Sequence, residues 1–146
     1  MLRRIKKYFF SAFREVFVYH HSSLEFRAKT YAVLIAGSTE SFSRYQHTLE
    51  VIASEIYTNP DRAGALVMTV KEYLKAIQNK KNMGNEMLLN DVIRELRLVP
   101  RFALKIEPEH LERLEECTLE EDSKIYQQRL IEFLREKRTE YEEIKR

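Results

Sequence analysis

The chain has 146 residues, 44% of them apolar and 33% charged, which is enough for one globular domain with a hydrophobic core. Only three glycines and three prolines occur, and this scarcity argues against a β-sandwich or barrel, which needs a turn roughly every ten residues. The single cysteine, Cys117, excludes an intramolecular disulfide and fits a reducing, cytoplasmic compartment.

The net charge of +2 is unevenly distributed. Residues 1–30 carry seven Lys and Arg against two Glu, a net charge of +5, whereas residues 107–146 carry eight against thirteen acidic residues, a net charge of −5. The two ends can face each other within the fold. They can also face partners, which would be an anionic lipid or nucleic acid for the first and a basic protein for the second.

Residues 1–21 are predicted to form a basic amphipathic helix. Its apolar face comprises Leu2, Ile5, Phe9, Ala12, Phe13, Val16 and His20, and its basic side chains are Arg3, Arg4, Lys6, Lys7 and Arg14. The segment is too short and too charged to span a bilayer. Two interpretations remain open: the helix docks on the rest of the fold with a solvated basic face, or it lies in the plane of an anionic membrane surface.

The next stretch is predicted to be the central helix of a bundle. Its run Tyr31–Ala36 is apolar nearly all round, and such a helix belongs inside a bundle rather than on its surface. Ser22 and Glu25 have the spacing of a capping box at its start. Gly37 is expected to end it by adopting a left-handed backbone conformation.

Helical periodicity and end signals predict the remaining elements. Asn59, Pro60 and Asp61 form a helix start, Gly64 either admits a close neighbour or is merely tolerated, and Thr118 with Glu121 forms a second capping box. The predicted helices cover about 41–57, 60–78, 85–99 and 108–117, with a short helical turn at 101–106 and a long helix from 119. The fold class is therefore all-α: a single irregular bundle of six to seven helices in one domain of residues 1–146, with the bundle at 22–146.

Few residues suggest catalytic or metal chemistry. No phosphate-binding glycine loop, zinc-protease motif or nucleophile elbow occurs, so we do not expect an enzyme. His47 and Glu50 share one helix face, with Glu40 and Glu55 near them in sequence, but two ligands fall short of the three or four that a structural metal site needs. Glu107 and His110 match the spacing of a di-iron bundle motif, which requires two copies and two further glutamates.

From about Phe26 to Phe133 the order of features resembles the tellurite-resistance TerB-like helical family. The resemblance lies in the segments TYAVLIA, GSTESFS and TLEVIASEIY, followed by LLNDVIREL and KIEPEHLERLEE. It implies a helical fold and metal binding by acidic turns, which would carry over to Glu40, Glu107 and Glu109 in a stress-response protein. This chain lacks the Asp-Gly pairs that those turns usually contain.

The leading hypothesis is a non-enzymatic interaction module in the cytoplasm. It would bind a protein partner, which could be a second copy of the chain in a homo-oligomer. Residues 1–21 would contact an anionic membrane surface. The alternatives are the metal-binding TerB-like protein, which would take a metal ion as its only cofactor, and a nucleic-acid-binding helical protein. The modest net charge weighs against the last of these.

Overall fold

The all-α prediction is confirmed. The structure is a computed structural model that describes residues 22–79 and 84–145, and these residues form six α-helices and one 3₁₀ helix without a strand. The elements are α1 (Ser22–Ala36), α2 (Ser43–Ile56), α3 (Pro60–Asn79), α4 (Asn85–Leu98), the 3₁₀ helix (Pro100–Lys105), α5 (Pro108–Glu115) and α6 (Glu121–Lys145). The predicted N-terminal helix at residues 1–21 lies outside the described residues.

Helix α1 is the centre of the bundle, as its apolar run predicts. It packs against α3, α4, α5 and the 3₁₀ helix. Its buried side chains point in all directions around the helix axis, and each is at most 2% exposed: Leu24, Phe26, Ala28, Tyr31, Ala32, Val33, Leu34 and Ile35. Burying a side chain of Leu or Phe size contributes about 1.5–3 kcal/mol, so this helix is the largest single contributor to the core.

Helix α1 ends just before Gly37, as predicted, but the predicted left-handed backbone conformation of Gly37 is wrong. No glycine among the described residues has a positive φ. The Gly37 N–H instead continues the helical pattern, donating to the carbonyls of Val33 and Leu34 at 3.2 Å. A Cβ added at this position would lie 2.3 Å from two ring carbons of Tyr126. Glycine is therefore required because α6 packs closely on the end of α1.

Gly64 shows the opposite environment. A Cβ placed there meets no atom within 4 Å, so the interpretation that this glycine admits a close neighbour is wrong. At the start of the same helix the Asn59 prediction is confirmed, since the Asp61 N–H donates to the Asn59 side-chain oxygen at 2.8 Å.

The prediction of a second capping box at Thr118 and Glu121 is also wrong. Helix α6 begins at Glu121 rather than Leu119, and the Thr118 hydroxyl lies 2.7 Å from the Tyr45 hydroxyl, where it joins α2 to the α5–α6 connection. The first capping box depends on the Ser22 side chain, which lies outside the described residues.

Candidate functional site

The turn that follows α1 is tied to the start of α6. The Glu40 side chain is only 14% exposed, and its carboxylate accepts the Leu119 N–H at 2.6 Å while lying 3.4 Å from the Arg44 guanidinium. The Tyr45 hydroxyl lies 3.3 Å from the same carboxylate and 2.7 Å from the Ser38 hydroxyl. Glu40 therefore holds two chain segments together with bonds that already satisfy its charge.

The structure separates the other candidate metal ligands. His47 and Glu50 are exposed on α2, and Glu107 and Glu109 are exposed at the start of α5. Glu107 lies 3.6 Å from Arg138, an ion pair with α6. Over residues 22–79 and 84–145 no group of three or more His, Cys, Asp and Glu side chains is placed to hold a metal ion. The basic candidates Arg3, Arg4, Lys6, Lys7 and Arg14 lie outside the described residues.

Cys117 is partly buried. Its sulfur lies 3.3 Å from the Thr48 hydroxyl and 3.6 Å from the Arg113 carbonyl oxygen. His47 lines the same shallow cleft, which no sequence spacing could indicate because the two residues lie on different elements. The thiol therefore contacts the end of α5 rather than the start of α6.

The described structure also contains a largely apolar groove that sequence analysis missed. It has a volume of about 390 Å³ and lies between the end of α4, the 3₁₀ helix and the C-terminal half of α6. Leu96 and Ala103 form its floor at 7% and 4% exposure. We call it the α4–α6 groove, and its lining residues are Ile93, Leu96, Arg97, Pro100, Ala103, Phe133, Lys137, Glu140, Tyr141 and Ile144.

One wall of the α4–α6 groove is basic. Arg97 ends α4 with an exposed guanidinium that has no ionic partner among the described residues. Ile93 and Leu96 on the same wall supply apolar surface beside it. This wall therefore offers a fork-shaped cation next to apolar surface, an arrangement that suits a carboxylate on an apolar ligand.

The opposite wall, formed by α6, carries charges of both signs, because Lys137 and Glu140 both line the groove. Arg138 turns toward the 3₁₀ helix and donates to the carbonyl oxygens of Leu104 and Ile106 at 3.1 and 3.0 Å. Arg135 pairs with Glu112 on α5. Three exposed carboxylates follow helical spacing along α6, namely Glu136, Glu140 and Glu143, and of these Glu140 lines the groove.

The apolar stripe of this wall carries its most exposed residue near its end. Ile144 is 81% exposed, although it lines the groove. The Lys137 ammonium lies 5.5 Å from the centroid of the Phe133 ring and 3.3 Å from Glu140, so its charge is partly compensated within the wall. The wall is thus an amphipathic helix face bordered by glutamates.

Burial shifts the pKa values of several titratable groups that lie outside the groove. The pKa of Glu95 is raised by desolvation, an effect that the buried Lys29 at 3.2 Å partly offsets. Burial lowers the pKa of His110 and raises that of Tyr126, although the hydrogen bond from Asn85 to the Tyr126 hydroxyl opposes the second shift. Glu95 joins α4 to α1 through Lys29, and Tyr126 joins α6 to α4 through Asn85, so both groups contribute to helix packing.

Within residues 22–79 and 84–145, none of the helices combines the length and the hydrophobicity that a membrane span requires. Comparisons with known protein families, with curated proteins and with solved structures find no match.

Proposed function

We propose that the protein is a non-enzymatic interaction module whose α4–α6 groove binds an amphipathic helix. The observation that carries the proposal is the juxtaposition in one groove of an apolar floor, the exposed Ile144 and the Arg97 guanidinium, which has no ionic partner among the described residues. A helix docked in such a groove buries an apolar stripe and places flanking side chains against the rim. Arg97 favours a partner helix whose stripe is flanked by Glu or Asp.

Binding of synthetic helical peptides tests this proposal. Two fluorescent peptides share one leucine stripe at helical spacing and differ only in having Glu or Lys beside it. We expect the Glu-flanked peptide to bind with the higher affinity, and we expect Arg97→Glu to reverse the preference. Ile144→Glu should weaken both peptides at least tenfold. Ile125→Glu serves as the matched control, since Ile125 is 48% exposed on the same helix but outside the groove.

The proposal fails if neither peptide binds, or if the groove variants and the Ile125→Glu control bind alike. Circular dichroism of each variant confirms that the fold is retained. All substituted side chains are exposed, so their effect on stability should stay within about 0.5 kcal/mol.

We also propose that the module is cytoplasmic and peripheral to the membrane, with residues 1–21 contacting an anionic surface. The support is the sequence pattern of aromatic residues beside Arg3, Arg4, Lys6, Lys7 and Arg14. Each basic residue near an anionic surface contributes about 1 kcal/mol. Flotation with vesicles containing phosphatidylglycerol tests it: the full chain should bind, and a variant with these five residues changed to Glu should not. Equal binding by both chains would remove the membrane contact.

The metal-binding alternative receives no specific support from the geometry. In a TerB-like site Glu40 would have to release the Leu119 N–H and Arg44 before it could bind a cation. The groove, by contrast, exposes apolar side chains and the Arg97 guanidinium to solvent. For that reason we propose the groove as the binding site.

A further inference from the structure

We propose that the end of the bundle that carries Leu98 lies against an anionic membrane surface, beside the lipid contact proposed for residues 1–21. This inference rests on that proposed contact and names the face of the bundle that completes it. Leu98, the last residue of α4, is 74% exposed, and three exposed cations lie close to it in the chain. We call these four residues the α4 end surface: Arg97, Leu98, Arg101 and Lys105.

The α4 end surface carries positive charge that the fold does not compensate. Every carboxylate within residues 91–107 already has an ionic partner: Asp91 pairs with Arg94, Glu95 with Lys29, and Glu107 with Arg138. Arg97, Arg101 and Lys105 have no ionic partner among the described residues. Three cations therefore remain available to an anionic surface, and each would strengthen binding to it about fivefold.

Helical spacing places Leu98 on the same face of α4 as the arginines. Arg94, Arg97 and Leu98 follow the spacing i, i+3, i+4, on the side opposite the buried Leu88, Val92 and Leu96. An apolar side chain among Lys and Arg is typical of interfacial contacts, in which the apolar group enters the boundary between lipid headgroups and acyl chains. The cations alone would equally suit a nucleic acid, but the exposed leucine among them favours lipid.

The packing of α1 against α4 shows where residues 1–21 join the fold. The two helices run antiparallel. Tyr126 contacts Gly37 just beyond the end of α1 and accepts a hydrogen bond from Asn85 at the start of α4. Further along, Lys29 of α1 pairs with Glu95 in the last turns of α4. The start of α1 therefore lies at the same end of the bundle as Leu98.

Contacts with the 3₁₀ helix confirm this placement of the start of α1. The ring of Phe26 stacks on that of Phe102 with centroids 5.1 Å apart, and the Arg27 Nε donates to the Lys105 carbonyl oxygen at 2.8 Å. Helix α1 begins at Ser22, about 7.5 Å along its axis from Arg27. Residues 1–21 thus connect to the fold beside the α4 end surface, and one flat membrane can contact both.

A tryptophan probe tests this orientation, because the chain has no tryptophan of its own. Leu98→Trp is compared with Ile125→Trp, whose position is 48% exposed and adjoins Tyr126 at the opposite end of α1 and α4. Vesicles of phosphatidylcholine and phosphatidylglycerol should shift the emission of Leu98→Trp to shorter wavelength, and brominated lipid should quench it. The emission of Ile125→Trp should not change. Equal responses from the two positions would overturn the inference.

The cations are tested by vesicle binding of charge-matched variants. Arg101→Gln combined with Lys105→Gln should weaken binding to the same vesicles at least about tenfold. Lys71→Gln combined with Arg129→Gln is the control, since it lowers the net charge equally at two exposed positions outside the α4 end surface. Arg97 stays unchanged because it also lines the α4–α6 groove. Equal losses in the two double variants would show that only total charge matters and would refute the proposed face.

The lipid contact of residues 1–21 and the orientation of the bundle can fail separately. If the full chain floats with the vesicles while the emission of Leu98→Trp stays unchanged, residues 1–21 bind lipid and the proposed face is wrong. A chain that binds no vesicles would remove both proposals. If a DNA or RNA oligonucleotide changes the emission of Leu98→Trp and vesicles do not, the α4 end surface binds nucleic acid and the membrane inference is overturned.

Discussion

Gly37 at the end of α1 lies directly against the ring of Tyr126 on α6, so closely that a Cβ at position 37 would be 2.3 Å from the ring carbons Cδ1 and Cε1. The ring is held in place because its hydroxyl accepts a 3.0 Å hydrogen bond from the Asn85 side chain. This contact fixes the distance between the central helix and α6, which forms one wall of the groove.

Gly37→Ala should therefore destabilise the fold by overpacking, by about 1–3 kcal/mol in the free energy of urea unfolding. Gly64→Ala is a matched control: its Cβ meets open space, and alanine should stabilise α3 by about 0.5–1 kcal/mol. Combining Gly37→Ala with Tyr126→Leu should recover part of the loss. Equal effects of the two alanine substitutions would contradict the close packing of α1 and α6.

The Gly37 result shows where sequence reasoning succeeded and where it stopped. The apolar run in α1 and the Asn59 start of α3 were predictable because each depends on residues within a few positions of one another. The roles of Gly37 and Thr118 were not predictable from the sequence. Each depends on a tyrosine of a distant helix, Tyr126 for Gly37 and Tyr45 for Thr118. The groove could not be predicted for the same reason. Its walls belong to α4 and α6, which are distant in sequence, and only the fold brings them side by side.

Removal of the Glu40 carboxylate should release the turn after α1 from the start of α6. Glu40→Ala leaves the Leu119 N–H without its acceptor, and we expect a loss of about 1–3 kcal/mol. Glu40→Gln should lose less, since its side-chain carbonyl can still accept that bond. Glu50→Gln on the exposed face of α2 should stay within about 0.5 kcal/mol. If Glu40→Ala unfolds at the same urea concentration as the unmodified chain, the carboxylate does not join these segments.

The ion pair between Lys29 and Glu95 makes a specific prediction about pH. Desolvation raises the pKa of Glu95 above its ordinary value of 4.5, so the folded state keeps this proton longer than the unfolded state. The contribution of Glu95 to stability is therefore fully present below pH 4.5 and is lost as the pH rises through the folded pKa.

Lys29→Met removes the cation that offsets this effect and should raise the pKa of Glu95 further. The variant should lose more stability at pH 7 than at pH 4, where Glu95 is protonated. Carbon-13 NMR titration of the Glu95 carboxyl measures the pKa directly. An unchanged or lower pKa in the variant would show that Lys29 does not compensate the buried charge.

His110 should give the stability of the fold the opposite pH dependence from that of Glu95. Burial lowers its pKa below 6.5, although the nearby Glu55 opposes the shift, so the unfolded state takes up the proton first as the pH falls. Stability is then present above pH 6.5 and decreases as the pH falls toward the folded pKa. His110→Gln should flatten this part of the stability profile. NMR titration of the imidazole checks the shift, and a pKa at or above 6.5 would contradict it.

The most direct measurement of the central claim is an NMR map of the binding surface. The Glu-flanked peptide is added to the nitrogen-15-labelled full chain, and amide shifts are recorded through the titration. We predict changes that centre on Ile93, Arg97, Ala103, Tyr141 and Ile144, the residues of the α4–α6 groove. Changes centred on the exposed faces of α2 and α3, with the groove amides unmoved, would contradict the account.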